Sequence, residues 1–375
     1  MPRLQTDVSP LVLIAAGGTG GHLFPAEALA VALAKRSVTV DLATDERATR
    51  YGTTFPTRMT HVIPSDTVRS RNPIALAKTI WRLGFGFGQA FRLLGEIRPD
   101  AVIGFGGYPT IPPLLAASLR RIPTIIHEQN GVMGRANRLL APRVSAIATS
   151  FPGVLANDAA LAAKATHTGN PVRPAVVAAA ETPYAAPERA GRLRLIAFGG
   201  SQGARIMADI VPPAMEHLDA ALRSRLVVTQ QARDEDVQRV RETLARFGVA
   251  AEVAPFFADL PARMAAAHVV VSRSGASTVA ELAAIGRPGI LVPLPHALDQ
   301  DQMANASVLR DAGGAILLPQ SEFTPQRLAQ EITALAAAPG RLSTMAAGAR
   351  TVGKLDAAER LADLVLRVAG VAARA

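Results

Sequence analysis

The sequence contains no cysteine among its 375 residues. Disulfide bonds, thiolate metal sites and cysteine nucleophiles are therefore excluded. The absence also fits a reducing compartment. Any chemistry of this chain must rest on imidazole, carboxylate, hydroxyl, guanidinium and backbone amide groups.

Aromatic residues are scarce as well, at 4% of the chain with a single tryptophan. Proteins that bind single-stranded nucleic acid stack the bases on aromatic side chains beside dense lysine and arginine. The sequence has no stripe of that kind. We therefore predict no nucleic-acid partner.

Long uninterrupted apolar runs are also missing. The first apolar run, Leu11 to Ala16, is short and ends in a glycine cluster, so it predicts a buried strand and not a signal peptide. The uncharged stretch 101–119 contains three glycines and three prolines, which would break a spanning helix. We expect no transmembrane segment.

Acidic residues are few in the first part of the chain. Residues 1–150 contain 17 Lys and Arg against 9 Asp and Glu, whereas the remainder contains 23 against 21. The net charge of +10 therefore belongs mainly to the first part. This bias favours a phosphate-bearing partner or an anionic membrane surface. Ordinary solvated charged faces are the alternative.

What the sequence does have is an internal repeat. Residues 11–20, LVLIAAGGTG, match residues 193–202, LRLIAFGGSQ, at an offset of 182 residues. Each segment is an apolar run followed by a glycine pair and then by a helix-like stretch. Strand, glycine turn and helix open a doubly wound α/β domain. Two openings half a chain apart predict two similar domains, as the chain length also does.

Other strand-like runs alternate with alanine-rich helical stretches, which favours parallel sheets. These runs are Ser37–Ala43, Ala101–Phe105, Thr124–His127, Ala146–Thr149, Arg225–Thr229, Val269–Ser272 and Gly289–Val292. A cluster of prolines predicts a linker within 171–192. We therefore predict domains at 1–170 and 171–375. The last helical stretch, 357–375, is free to pack back on the first domain.

The two glycine loops predict anion binding. In GGTGGH, 17–22, and in GGSQG, 199–203, the backbone can approach a ligand closely, and the amides of the next helix favour a diphosphate. Leu23 stands where a dinucleotide fingerprint needs its third glycine, which disfavours a nicotinamide dehydrogenase. There is no Walker Gly-Lys-Ser/Thr either. Tight strand-to-helix geometry alone is the alternative explanation.

Three further polar segments follow strand-like runs or the proposed linker, where open α/β sheets bind ligands. HEQN, 127–130, places four polar side chains at a strand end. RSGASTVAE, 273–281, opens a helix and ends in a carboxylate. GNPVR, 169–173, carries an arginine, whose guanidinium matches diphosphate geometry.

Taken in order, these segments resemble the MurG family of bacterial N-acetylglucosaminyltransferases. The matching segments are GGTGGH at 17–22, GFGGY at 104–108, HEQN at 127–130, GNPVR at 169–173, GGSQGA at 199–204 and RSGASTVAE at 273–281. The resemblance implies the α/β GT-B fold, with two Rossmann-like doubly wound domains facing a cleft. It implies inverting, metal-independent transfer from UDP-N-acetylglucosamine to undecaprenyl-linked lipid I, without a cofactor.

The resemblance also implies site residues. For the donor, UDP-N-acetylglucosamine, these are Thr19, Gly20, Gly21, Asn130, Arg173, Ser201, Phe257, Ala276, Ser277, Thr278, Val279, Ala280, Glu281 and Gln302. Glu281 suits the ribose hydroxyls, and the Phe257 backbone suits the uracil edge. Asp301 precedes Gln302 where some relatives carry another glutamine.

The reaction needs a base for the acceptor hydroxyl. His22, at the end of the first glycine loop, is our choice because histidine titrates near neutral pH. Glu128 is the second candidate and His127 a weaker third. Alternatively, His22 donates a hydrogen bond to a phosphate or packs at the start of the helix. Asp299-Gln300-Asp301 has the spacing of a metal-binding DxD motif, but the resemblance points to a metal-free reaction.

The stretch 68–91 mixes apolar and cationic residues in blocks, as interfacial anchors do. We predict that Ile80, Trp81 and Phe85 contact the membrane and that Gly106, Gly107 and Tyr108 bind the lipid acceptor. The resemblance implies a peripheral protein on the cytoplasmic face of the bacterial inner membrane, active in peptidoglycan synthesis. An ordinary amphipathic core helix is the alternative.

Two other functions stay open from the sequence. A UDP-N-acetylglucosamine 2-epimerase-like enzyme would share the architecture but would lack an exposed apolar and basic patch. A non-catalytic lipid-binding protein would need neither His22 nor HEQN nor two complete glycine loops.

Overall fold

The computed structural model describes residues 9–17, 20–46, 55–65, 73–200, 203–295 and 300–371, and of residues 73–78 and 80 only the backbone. The chain divides into two compact units. Unit 1 comprises residues 1–129, 133–171 and 356–375, and unit 2 comprises residues 130–132 and 172–355.

The strands are short, and those in the middle of each sheet are apolar. They are β1 Leu11–Ala15, β2 Thr39–Thr44, β3 Met59–Val62, β4 Ala101–Gly104, β5 Thr124–Glu128, β6 Ala146–Thr149, β7 Ala165–His167, β8 Leu193–Phe198, β9 Leu226–Gln231, β10 Ala250–Ala254, β11 Val269–Ser272, β12 Gly289–Leu291 and β13 Ala315–Leu317.

The helices alternate with the strands. They are α1 Gly20–Ala34, α2 Pro73–Ile97, α3 Ile111–Leu119, α4 Arg135–Leu140, α5 Ala159–Ala162, α6 Pro174–Ala180, α7 Arg205–Ala214, α8 Ala220–Arg225, α9 Asp234–Arg246, α10 Leu260–Ala266, α11 Ala276–Ile285, α12 Asp301–Asp311, α13 Pro325–Ala337, α14 Pro339–Val352 and α15 Ala357–Ala369.

In the described residues, unit 1 contains a seven-stranded sheet in the order β3-β2-β1-β4-β5-β6-β7. Every pairing in it is parallel. The order reverses between β1 and β4, so the connections leave those two strands in opposite directions. Ligands of open α/β sheets bind at such a switch point, beyond the carboxyl ends of the strands.

Unit 2 repeats this plan. Its described residues form a six-stranded sheet in the order β10-β9-β8-β11-β12-β13, again with parallel pairs. Here the switch point lies between β8 and β11. The repeat found in the sequence therefore has a structural meaning: β1 and β8 occupy the same position in their sheets, and each leads into a glycine loop at its switch point. The two Rossmann-like domains of the GT-B fold are confirmed.

Each unit has its own apolar interior. In unit 1 one cluster joins β1 and α1 to α15, and another joins the opposite face of the sheet to α2 and α3. In unit 2 a cluster joins β8, β9 and β11 to α7 and α13. Each domain therefore buries its own apolar core, as the alternation of apolar strands and helices predicts.

The structure extends the sequence reasoning at the sheet edges. The strands β3, β7, β10 and β13 were not predicted, and all four are edge strands. An edge strand is partly exposed and short, as β3 is, so it shows no apolar run. The predicted linker 171–192 is also more ordered than expected, because it contains α6, whose Val176 is buried.

Candidate active site

The first glycine loop leads from β1 into α1, which begins at Gly20. Gly20 is buried and Gly21 is exposed, while His22 is half-buried in the first helical turn. Thr19, a predicted donor contact, lies outside the described residues. The amides of a helix's first turn have no acceptor within the helix, so they favour an anion in front of Gly20 and Gly21.

His22 belongs to a hydrogen-bonded relay with the HEQN segment. Its Nδ1 lies 2.9 Å from Oε1 of Gln129. The Gln129 amide nitrogen donates in turn to the carbonyl oxygen of Phe105, at 2.8 Å. Gln129 is only 3% exposed, so its amide has little exchange with water. Sequence reasoning named His22 but missed Gln129 as its partner.

The segment GFGGY follows β4, the neighbour of β1 at the switch point. Gly106 and Gly107 have φ of 82° and 77°, in the left-handed region that favours glycine. A Cβ on Gly107 would lie 3.4 Å from Nε2 of His22. Tyr108 is half-buried and begins a short 3₁₀ turn. The two glycines predicted to bind the acceptor substrate, Gly106 and Gly107, therefore lie next to the ring of His22, the predicted base.

Glu128, the second candidate base, accepts hydrogen bonds from the loop before α4 and from α4. It is 2% exposed, and its Oε2 accepts hydrogen bonds from the Gly134 amide at 2.9 Å and from the Asn137 side chain at 2.8 Å. These contacts hold the start of α4. The carboxylate is thus engaged in fixing a loop, which favours His22 over Glu128 as the base.

His127, the weakest candidate, is fully buried. Its Nε2 donates to the carbonyl oxygen of Gly169 at 3.1 Å. Burial lowers the pKa of His127 to about 4, with the Gly169 hydrogen bond opposing and the nearby His22 adding to this effect. A neutral side chain in the interior suits packing, not proton transfer to a substrate.

In unit 2, Asn130 is held by a residue that sequence reasoning missed. The buried Asn305 donates from Nδ2 to Oδ1 of Asn130 and to the carbonyl oxygen of Ser274, both at 3.1 Å. Its Oδ1 accepts from the Gly131 amide at 2.8 Å. Asn305 stands three residues after Gln302, so both share one face of α12. The three-residue spacing from Gln302 on a helix is the sequence feature that could have identified Asn305.

Arg173 and Glu281 contact each other within unit 2. An Arg173 nitrogen lies 3.3 Å from Oε1 of Glu281, whose side chain is 9% exposed. Burial raises the pKa of Glu281, while the charge and hydrogen bond of Arg173 lower it by less. The sequence predicted a diphosphate contact for the arginine and a ribose contact for the carboxylate. The structure shows that the two are also partners.

The switch point of unit 2 carries the second glycine loop and RSGASTVAE. Ser201, a predicted donor contact, lies outside the described residues. Gly199 needs to be glycine because a Cβ there would overlap Ala204. Beyond β11, the Arg273 guanidinium is buried and donates to the carbonyl oxygens of Val292 and Pro293, at 3.1 and 3.0 Å. Burial lowers the pKa of Arg273.

The residues at the start of α11 that were predicted to bind the sugar donor differ in what they can offer a ligand. The amide of Val279 donates to the Gly275 carbonyl oxygen, and its side chain is 1% exposed. Val279 therefore offers a ligand neither its amide nor its side chain. Ala276, Ser277 and Thr278 precede it at the helix start, where an anion is favoured. Ala280 is half-buried one step further along.

The side chains of Phe257 and Gln302 each contact a residue close in the sequence. The Phe257 ring is 8% exposed and lies under the Arg263 guanidinium, 4.4 Å from its centroid, so its backbone is the part suited to a base edge. The Gln302 side chain accepts from the Leu294 amide at 3.0 Å. Asp301 accepts from the Gln302 amide at 2.8 Å.

The described residues contain no group of three or more His, Asp or Glu placed to hold a metal ion. Asp299, the first member of the DxD spacing, lies outside the described residues.

Helix α2 carries an exposed aromatic pair. The Trp81 and Phe85 rings stack with centroids 5.9 Å apart, and the residues are 70% and 58% exposed. The Ile80 side chain lies outside what is described. Further along α2, the Arg120 guanidinium lies 3.9 Å from the Phe91 ring centroid, and the residue before it, Leu119, is 70% exposed. In the part of the chain that the structure describes, no helix combines the length and apolar character needed to cross a bilayer.

Comparison with known proteins agrees with this architecture. The glycosyltransferase family 28 N-terminal domain matches residues 12–149, and the glycosyltransferase family 28 C-terminal domain matches residues 194–361. A UDP-N-acetylglucosamine--N-acetylmuramyl-(pentapeptide) pyrophosphoryl-undecaprenol N-acetylglucosamine transferase from Rhodopseudomonas palustris is 65% identical over 98% of this chain and 100% of its own length. The protein of the same name from Nitrobacter hamburgensis is 63% identical over 96% of this chain and 98% of its own.

Solved structures give the same picture. MurG from Acinetobacter baumannii is similar with a TM-score of 0.76 and 29% identity, over 96% of this chain and 100% of its own. A UDP-GlcNAc 2-epimerase from Neisseria meningitidis is similar with a TM-score of 0.66 and 16% identity, over 95% of this chain and all of its own, which shows the shared fold alone. The sequence matches decide between them: this chain belongs to the MurG family of N-acetylglucosaminyltransferases, within glycosyltransferase family 28.

Proposed function

We propose that this chain transfers N-acetylglucosamine from UDP-N-acetylglucosamine to the muramoyl 4-hydroxyl of lipid I, which makes lipid II for peptidoglycan synthesis. The observation that carries the proposal is the pair of switch-point loops, one per unit, together with the relay from His22 through Gln129 to Phe105. One loop with a histidine supplies a base, and the other supplies amides for a diphosphate.

In the proposed reaction the acceptor oxygen forms a bond to C1 of N-acetylglucosamine while Nε2 of His22 takes its proton. The bond from C1 to the diphosphate oxygen breaks, and its electron pair leaves with UDP. The imidazolium then returns its proton to solvent. Attack opposite the leaving group inverts the anomeric configuration, and the transition state resembles an oxocarbenium ion.

The donor residues of unit 2 have distinct proposed tasks. The start of α11, the glycine loop after β8 and Arg173 stabilise the negative charge that develops on the departing diphosphate. Glu281 accepts from the ribose hydroxyls, and Arg173 offsets part of the effect of burial on the Glu281 pKa. Asn305 holds Asn130 and the carbonyl of Ser274 in place.

For the acceptor, we propose that Gly106, Gly107 and Tyr108 approach the lipid diphosphate and that α2 rests on an anionic bilayer at its cytoplasmic face. Exposed Trp81 and Phe85 supply apolar area, and the basic bias of residues 1–150 supplies the attraction to lipid headgroups. The chain would then be a peripheral protein of the inner membrane.

Product analysis tests the proposed reaction. Wild-type protein is incubated with labelled UDP-N-acetylglucosamine and a lipid I analogue, with and without EDTA. We expect label in the lipid fraction in both cases. Release of UDP-N-acetylmannosamine without labelled lipid would instead identify an epimerase, and loss of transfer in EDTA would contradict the metal-free route.

Vesicle co-sedimentation tests the membrane surface. Replacing Trp81 and Phe85 together by alanine should lower binding to phosphatidylglycerol vesicles by about 100-fold or more, because each lost ring removes on the order of 2 kcal/mol of apolar burial and about 1.4 kcal/mol is tenfold in affinity. Leu355→Ala, at an exposed apolar residue of unit 2, is the matched control. Equal binding by the double variant and the control would contradict the assignment.

A further inference from the structure

The orientation of the Gln129 amide is dictated by its surroundings. The Phe105 carbonyl oxygen can only accept a hydrogen bond, so the group facing it at 2.8 Å must be the NH₂ of Gln129. The other end of the amide, Oε1, then faces His22. Reversing the amide would place two oxygens against each other in a buried position, which costs the hydrogen bond and adds repulsion.

This orientation fixes the proton on His22. Oε1 of Gln129 is an acceptor only, and it lies 2.9 Å from Nδ1 of His22. The hydrogen bond therefore requires a proton on Nδ1. In a neutral imidazole that leaves the lone pair on Nε2, the nitrogen beside Gly107.

The neutrality of the partner has a chemical consequence. A carboxylate in this place would hold the same tautomer but would also favour the imidazolium, which cannot accept a proton. An amide orients the ring without adding charge. The neighbouring carboxylate, Glu128, accepts hydrogen bonds from the Gly134 amide and the Asn137 side chain.

We propose that Gln129 is a positioning residue that holds the His22 imidazole in its Nδ1–H tautomer, so that Nε2 receives the proton of the acceptor hydroxyl. The inference rests on the proposed function for its catalytic meaning. The tautomer itself can be measured without any substrate, so the two proposals can fail separately.

The direct test is nuclear magnetic resonance of protein labelled with ¹⁵N in its histidine rings, with His22 assigned by its loss in His22→Asn. At a pH where the ring is neutral, wild type should show the Nδ1–H pattern for His22. Gln129→Met should show a mixture or the Nε2–H pattern. An Nε2–H pattern in wild type, or an unchanged His22 signal in Gln129→Met, would overturn the inference.

Kinetics supply the second test. Gln129→Met should lower kcat by about 10- to 100-fold, which is less than the loss expected when a general base is removed. The KM for UDP-N-acetylglucosamine should change by no more than about threefold. Gln129→Glu keeps an acceptor for Nδ1 of His22 but its carboxylate cannot donate to the Phe105 carbonyl oxygen, so it should recover only part of kcat; with its carboxyl ionised, it should move the acidic limb of the pH profile upward. A merely structural role would not move that limb.

Gln230→Met is the matched control. Gln230 is also a fully buried glutamine at the end of a strand, and its amide donates to the Met207 carbonyl oxygen at 3.0 Å. We expect it to lower stability without moving the pH profile or the His22 signal. If Gln129→Met fails to fold, Gln129→Glu decides by the same resonance measurement: an Nε2–H pattern for His22 in that variant would contradict the inference.

Discussion

At the residue scale, two neighbours in HEQN have different tasks: Glu128 is the last residue of β5, and Gln129 follows the strand end. Glu128 fixes the turn before α4, and Gln129 contacts His22. The Glu128 carboxylate accepts hydrogen bonds from a backbone amide and an asparagine side chain. The base is left beside a neutral group.

Glu128→Ala should lower the free energy of unfolding by about 1–3 kcal/mol, because the half-buried Gly134 amide and one N–H of the buried Asn137 side chain lose their acceptor. Glu128→Gln should cost less, since one oxygen remains to accept. Urea titration of both variants measures the change. If Glu128 were instead the base, Glu128→Gln would abolish transfer at unchanged stability.

Single residues were predicted as far as local pattern allows. His22 and Asn130 stand in motifs that the sequence shows directly. Their partners are distant in the chain: Gln129 is 107 residues from His22, and Asn305 is 175 residues from Asn130. Such pairings depend on which strands become neighbours, so no local pattern contains them.

At the element scale, the edge strand β3 is held to β2 by a buried carboxylate. Asp41 accepts from Arg58 and contacts His61 at 3.0 Å. Burial raises the pKa of Asp41, but the hydrogen bonds and charges of Arg58 and His61 outweigh burial, so the pKa lies below its usual range. A lowered pKa stabilises the fold above the unfolded value, about 3.9, and this contribution is lost as pH falls through the folded value.

Asp41→Asn should therefore lower hydrogen-exchange protection of residues 55–65 by about tenfold or more at pH 7, which corresponds to about 1.4 kcal/mol. After correction for intrinsic exchange rates, wild type should lose this advantage as the pH falls below about 4, while the variant changes little. Glu96→Gln, in an exposed ion pair with Arg92, is the control. Equal protection in Asp41→Asn and wild type at pH 7 would contradict this role.

The last helix, α15, belongs to unit 1 although its sequence follows unit 2. Its Leu361 and Val365 are buried against α1, and Arg36 forms ion pairs with Glu359 and Asp363. A helix buried on one face stabilises the domain that it covers, wherever it stands in the chain.

Leu361→Ala should destabilise unit 1 by about 2–4 kcal/mol through the cavity it leaves. Hydrogen exchange should show faster opening of β1 and α1, with β8 and α7 unchanged. Arg360→Ala, at an exposed residue of the same helix, should have an effect below about 0.5 kcal/mol. Loss of protection in β8 instead would show that the helix serves unit 2.

Elements were predictable where burial leaves a pattern. The strands inside each sheet are apolar runs bounded by glycine or polar residues, and the sequence located them within one or two residues. The edge strands lack that pattern because water replaces one neighbour. Helix α6 was taken for linker because prolines flank it, although a proline at the first turn of a helix is well tolerated.

At the scale of the whole molecule, the same βα opening occurs twice and places a glycine loop at the switch point of each sheet. The sequence repeat was sufficient to predict both Rossmann-like domains, because the same strand, glycine turn and helix opening occurs twice, half a chain apart. The distribution of charge was also visible in the sequence. The identity of the substrates came from the ordered set of motifs and from the relatives, not from the repeat.

The most direct test of the account is kcat of His22→Ala, measured beside calorimetric binding of UDP-N-acetylglucosamine to the same protein. We predict that kcat falls by about 10²- to 10⁴-fold, the range expected for a lost general base, while the dissociation constant of the donor changes by no more than about threefold. A kcat within about threefold of wild type would contradict the account.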